Sequence, residues 1–151
     1  MIVTVDTNVI FSALYSNTGA SHQILNLIVE EKIVLAITNQ IYLEYYDVLT
    51  RSENLGKLNL TREEIQDFID YLLLLARKYE VYYLLRPNLI DENDNIFMEC
   101  AFVSNSEYLI TSNIRDFMSG ELLGFGFDII TPGDFYKNWR QRIWIEVKFY
   151  H

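Results

Sequence analysis

Cysteine occurs once, at Cys100, and histidine twice, at His22 and His151. A single cysteine cannot close an internal disulfide, which fits a reducing cytoplasm. Neither histidine has a Cys or Asp at ligand spacing, which argues against a zinc centre and leaves acid–base work to other side chains. Long apolar runs are also missing. The longest, Leu72 to Ala76, falls far short of the roughly 20 residues that cross a bilayer. No basic segment followed by an apolar stretch opens the chain, so no secretory leader is expected. Repeats, low-complexity tracts and linker-like segments are absent. Basic residues are few, 12 against 21 acidic ones, for a net charge of −9. That balance works against nonspecific binding of phosphate backbones, unless some carboxylates gather around cations and reverse the field locally.

What is present is a chain of 151 residues, 50% hydrophobic and 15% aromatic, enough for one well-buried core. A single domain over 1–151 is expected, with its core over about 1–135 and a C-terminal extension over about 136–151. Two apolar periodicities alternate. "IVTV" (2–5), "IVLAI" (33–37), "YLIT" (108–111) and "FDIIT" (127–131) are short and β-branched, the pattern of strands buried on both faces. Between them lie helical patterns: "SHQILNLIVEEK", "NQIYLEYYDVLT", "TREEIQDFIDYLLLLARKYE" and "DNIFMECAFV". Thr61 and Glu64 form a capping box at the start of the third, and Arg77 and Lys78 fall in its last turn, where the helix dipole favours cations. This alternation predicts an α/β fold, three layers with helices on both sides of a mostly parallel sheet. Helices at about 39–51 and 61–80 form a two-helix insertion with no strand between them. "DFYKNWRQ" reads as a short helix. "IWIEVKFY" (143–150) alternates apolar and polar residues as a strand does, or forms a helical extension.

The chain leaves Asp6 at the end of its first buried strand, and in a parallel sheet ligands bind at the carboxyl ends of the strands. Other carboxylates fall near the same edge. Asp116 follows "YLIT", Asp94 opens the helix leading into that strand, and Glu44 sits one turn into the helix after "IVLAI". Asp91 and Glu92 are close to Asp94, and Asp91 serves as an alternative ligand or as a cap. Four converging carboxylates would repel one another, and a hard divalent cation, Mg²⁺ or Mn²⁺, removes the conflict. Such a centre suits phosphoryl chemistry.

"VDTNVIFSAL", "ITNQIYLEYYDVL", "DENDNIFMECAF" and "YLITSNIRDF" resemble, in order, the signature segments of PIN-domain nucleases. More narrowly they are similar to the toxin-like, VapC-like branch of prokaryotic toxin–antitoxin pairs. The likeness runs from Met1 to about Phe135. It implies a PIN-like α/β/α sandwich and a Mg²⁺- or Mn²⁺-dependent ribonuclease acting on RNA. It also implies a cytoplasmic protein that forms a homodimer and pairs with an antitoxin. Asp6, Glu44, Asp94 and Asp116 are then the catalytic acidic residues, with Asp6, Asp94, Asp116 and Asn113 around the metal. Thr7, Asn8, Thr111, Ser112 and Asp91 are supporting neighbours. Two positions depart from the pattern: Asn113 stands where many relatives carry Asp, and Ser112 where glycine is frequent. An amide subtracts a charge, so a second metal is less secure than the first.

Phosphate contacts are expected from Arg115, beside the site, and from Lys137 and Arg140 in the segment from Pro132 onward. That segment carries Lys137, Arg140, Arg142 and Lys148 against Asp134 and Glu146, a surplus of two positive charges on an acidic chain. The same segment, with Trp139 and Trp144, equally suits packing, a subunit contact or an antitoxin contact. Two other functions compete with a nuclease. One is a PIN-like module that binds nucleic acid without cleaving it. The other is a receiver-like phospho-acceptor domain, against which the chain lacks an acidic pair near its start.

Overall fold

The computed structural model describes residues 1–81, 92–118 and 126–150, with the backbone alone for 92–94, 118 and 150. The four β-branched runs form strands β1 (Ile2–Val5), β2 (Val34–Ile37), β4 (Tyr108–Ile110) and β5 (Asp128–Ile130). A fifth, β3 (Arg77–Lys78), joins them in the order β3-β2-β1-β4-β5, and every pairing is parallel. The first strand of the chain is therefore the middle strand of the sheet. Val3, Val5, Leu35, Ile37, Leu109 and Ile110 are buried, as expected for strands covered on both faces.

Among the described residues, eight helices cover the sheet: α1 (Thr7–Tyr15), α2 (Ala20–Val29), α3 (Asn39–Leu49), α4 (Ser52–Leu58), α5 (Arg62–Leu75), α6 (Glu92–Val103), α7 (Ile114–Met118) and α8 (Pro132–Tyr150). Thr38 caps α3 by accepting from the Ile41 N–H. Thr61 and Glu64 make the reciprocal capping box on α5, whose Ile65, Ile69 and Leu72 enter the core. Around α6, Asn95 through Ala101 are all buried, so this helix runs through the interior and has no solvated face in that stretch.

Two expectations need correction, and one open alternative, strand or helical extension for residues 143–150, is decided for the helix. Arg77 and Lys78 are not the last turn of a helix. Ala76 adopts an extended conformation that ends α5, and the next two residues pair with Ala36 and Ile37 as β3. An edge strand needs backbone partners on one side only, so exposed charged side chains suffice and also discourage further pairing. The insertion holds a third helix, α4, between the two that were expected. Finally, residues 143–150 are not a strand. They continue α8, which starts with Pro132 at its first position, where the missing N–H costs nothing. Alternating apolar residues form a strand only beside another strand. Among the described residues none lies there, so the helix satisfies the backbone internally, and Ile143, Trp144, Ile145, Val147 and Phe149 stand exposed around it. The expected boundary between core and extension, near residue 135, lies inside this continuous helix.

Candidate active site at the carboxyl edge of the sheet

The strand register sets one row of residues across the sheet edge. Val3 is level with Leu35 and Val5 with Ile110, while Ile37 is level with Lys78 and Ile110 with Ile130. One residue further on, the row reads Tyr79, Thr38, Asp6, Thr111, Thr131. Backbone bonds continue into it: Asp6 N–H donates to the Ile110 carbonyl, Tyr79 N–H to Ile37, and Thr111 N–H to Ile130. Asp6 occupies the centre.

Asp6 is only 6% exposed. As the N-cap of α1, its Oδ1 accepts from the Thr7 N–H at 2.8 Å. Its Oδ2 accepts from the Thr111 hydroxyl at 2.7 Å, and that hydroxyl in turn accepts from the Asn113 N–H at 3.0 Å. Asn8 also hydrogen-bonds the carboxylate, and its Oδ1 reaches the Ser112 N–H at 3.4 Å. Burial raises the Asp6 pKa above its ordinary value. The bonds from Thr111 and Thr7 oppose the rise, the negative charge of Asp116 adds to it, and Asn8 opposes it.

Asp116 lies in α7, with its N–H on the Asn113 carbonyl. The loop Thr111–Ser112–Asn113 thus connects the hydroxyl that holds Asp6 to the helix that carries the second carboxylate. Glu44 is half-buried on α3. The next residue, Tyr45, is fully buried and donates its phenol hydrogen to the carbonyl of Val5, directly before Asp6. That bond ties α3 to the end of β1. Asp91 lies outside the described residues, as does the side chain of Asp94, although the backbone puts Asp94 in the first turn of α6. Among the described residues no three or more His, Cys, Asp or Glu side chains form a cluster able to hold a metal. The geometry brings together the pair Asp6 and Asp116, with Thr7, Asn8, Thr111, Ser112 and Asn113 around it.

Two buried polar residues escaped the sequence reading. Asn95 is fully buried on α6, and neither atom of its amide has a hydrogen-bond partner. Glu99, on the same helix, is 2% exposed. The available signal was a carboxylate flanked by Phe97, Cys100 and Ala101, on a helix without a polar face. The Thr7 hydroxyl is likewise buried and unpaired. Such groups are costly, and they concentrate where function requires them.

Other expectations resolve into structure. His22 Nδ1 donates to the Ala13 carbonyl at 2.8 Å and ties α2 to α1. Burial pushes the Cys100 thiol pKa up to about 12, too high for a nucleophile. Tyr15 is exposed and stacks on Phe11. Arg115 is exposed on α7, in the same helix as Asp116. Lys137 and Arg140 line a cavity of about 450 Å³ with Tyr136, Gln141 and Trp144 on α8. Their neighbours Trp139 and Arg142 lie beside Met1 and Glu107, where β1 and β4 begin, so this stretch of α8 is at the sheet edge opposite Asp6.

The PIN domain family matches residues 2–115 of the chain, about three-quarters of it, and this chain belongs to that family. A similar solved structure is that of VapBC2 from Rickettsia felis, bound to a DNA fragment from their promoter. It is 18% identical, with a TM-score of 0.60, over 87% of this chain and 98% of the other. At that identity the likeness is one of fold. No curated protein matches the chain by sequence. The parallel five-stranded sheet between helices is the PIN-like sandwich the sequence predicts.

Proposed function

We propose that this chain is a divalent-cation-dependent endoribonuclease, the toxin of a toxin–antitoxin pair. The observation that carries the reading is the state of Asp6. It is a buried carboxylate at the carboxyl end of the central strand, and the negative charge of Asp116 acts on it. Hard oxygen donors held this way fit Mg²⁺ or Mn²⁺. In this reading Asp6 and Asp116 hold the ion together with Asp94 and Asn113, Glu44 binds a metal-bound water, and Asp91 is an alternative ligand to Asp94. Bound there, the cation would lower the pKa of an attacking water and offset charge on the phosphate and the departing oxygen.

The chain's own residues supply the positioning. Thr111 and the Thr7 N–H hold both oxygens of Asp6 in a fixed orientation, which lowers the cost of reorganisation when charge develops. Asn8 and Ser112 brace the loop that carries Asn113. Arg115 contacts the substrate phosphate from α7. An antitoxin and a second copy of the chain are the partners, and the exposed apolar turns of α8 offer them a surface. The setting is the cytoplasm, and among the described residues no helix is long and apolar enough to cross a membrane.

The test is cleavage of a mixed RNA pool by the purified chain in Mg²⁺, with EDTA and Asp6→Asn as controls. Cleavage that stops with either control, leaving 5′-phosphate and 3′-hydroxyl ends, supports the reading. Full EDTA-sensitive activity in Asp6→Asn refutes the site. RNA binding without any cleavage favours the noncatalytic module.

A further inference from the structure

A second cavity opens on the same sheet edge, two strands from Asp6. It encloses about 340 Å³ and is lined by Ile37, Thr38, Asn39, Tyr42, Leu73, Lys78, Tyr79 and Glu80. We infer that this cavity is a nucleotide subsite, in which Tyr42 and Tyr79 hold a base of single-stranded RNA and Lys78 holds its phosphate. The inference rests on the nuclease reading for the direction of the strand, but not for the chemistry of the pocket.

Three observations carry it. The first is position. Tyr79 and Thr38 belong to the same cross-sheet row as Asp6, and two strand spacings put Tyr79 about 10 Å from it, within reach of a nucleotide beside the scissile bond. The second is composition. Ile37 and Leu73 make an apolar floor, and two half-buried tyrosines supply aromatic faces. Exposed Asn39 offers amide donors and an acceptor to a base edge. Stacking on aromatic rings is the sequence-tolerant way to hold a single strand. The Tyr42 hydroxyl is fixed by the Gln66 amide, which donates to it at 3.2 Å, so this ring is already oriented. The third is charge. The chain is strongly acidic, yet exposed Lys78 lines this cavity beside exposed Glu80, while Arg77, the preceding residue of β3, faces the other side of the sheet. By contrast, the α8 cations accompany residues at the opposite edge. The positive charges available to a phosphate near Asp6 are therefore those of Lys78 and Arg115 rather than those of α8.

The substrate strand then runs from the Asp6 site across the end of β2 to the end of β3. The test uses the full chain with a nuclease-resistant single-stranded RNA analogue carrying 4-thiouridine, in Mg²⁺. Photocrosslinking followed by peptide mass mapping should place the adduct on Tyr79 or Tyr42. Lys78→Ala and Tyr79→Leu should each weaken binding by about tenfold. Tyr79→Phe, which keeps the ring, should bind as the parent does, and melting curves identify any variant that has not folded. Parent-like affinity in Lys78→Ala and folded Tyr79→Leu, or adducts confined to α8, would overturn the subsite. So would displacement of a bound acidic peptide, rather than RNA, by the same substitutions. A parent chain that binds RNA through Tyr79 but never cleaves it would remove the nuclease reading and leave the subsite standing.

Discussion

The hydroxyl of Thr111 lies 2.7 Å from Oδ2 of Asp6, joining the ends of two neighbouring parallel strands across 105 positions of sequence. It favours the ionised carboxylate against the effect of burial. Thr111→Val keeps the shape and removes the donor. The Asp6 pKa should rise further, and the acidic limb of the pH–rate profile should move to higher pH. Cleavage at a fixed acidic pH should fall by about tenfold or more, the effect of losing a hydrogen bond to a charged group. An unmoved limb would show that this bond does not govern ionisation.

The raised pKa of Asp6 fixes a sign for stability. A carboxyl whose folded pKa lies above the unfolded value, 3.8, stabilises the fold while protonated. That contribution is present at low pH and is lost as pH rises through the folded pKa. Metal-free protein should therefore lose melting temperature between the ordinary Asp range and neutrality, and added Mg²⁺ should restore it. Asp6→Asn should lack both the loss and the recovery. Thermal melts in EDTA and in Mg²⁺ across that range make the measurement.

Asp116 opposes ionisation of Asp6. Replacing it with asparagine removes the repulsion and, in the proposed site, a ligand charge. Asp116→Asn should lower the Asp6 pKa, while the affinity for Mg²⁺ falls. The two effects separate in a calorimetric titration of Mg²⁺ at several pH values. Stronger Mg²⁺ binding in the variant would exclude Asp116 from the metal site.

Tyr45 is a positional anchor. Tyr45→Phe removes the buried bond to the Val5 carbonyl and should destabilise the protein by about 1–2 kcal/mol. Because the same turn of α3 carries Glu44, activity should drop beyond what the fraction unfolded explains. Denaturant melts and initial rates on the folded fraction test both parts. Equal stability would mean that the carbonyl finds another donor.

The capping box gives a control away from the site. Thr61→Ala should cost about 1 kcal/mol, the usual loss of such a cap, with no change in RNA cleavage.

Four strands, the α5 capping box and the position of Asp6 were legible in the sequence because each depends on local pattern. β-branched runs bounded by polar residues cannot easily be anything else, and Thr61 with Glu64 needs no distant partner. β3 was not legible. Arg77 and Lys78 carry no strand preference, and they pair only because the edge of β2 is open. The end of α8 stayed open for the opposite reason: its period-2 pattern was genuine, but among the described residues no strand lies beside it. At the site, Asp6 and its neighbours Thr7 and Asn8 could be read from one segment, whereas the hold of Thr111 on Asp6 is purely tertiary. Asn95 and Glu99 stayed hidden because polar residues on a helix usually face water, and only the enclosure of α6 shows otherwise.

The sheet order also has a consequence for biosynthesis. β1 precedes β4 by more than a hundred residues, yet it is enclosed only when β4 takes its place alongside. A nascent or truncated polypeptide that stops before Thr111 has no hydroxyl to orient Asp6 and no second carboxylate beside it. The pairing of Asp6 with Asp116 thus arises only once the segment that carries β4 and α7 has joined the sheet.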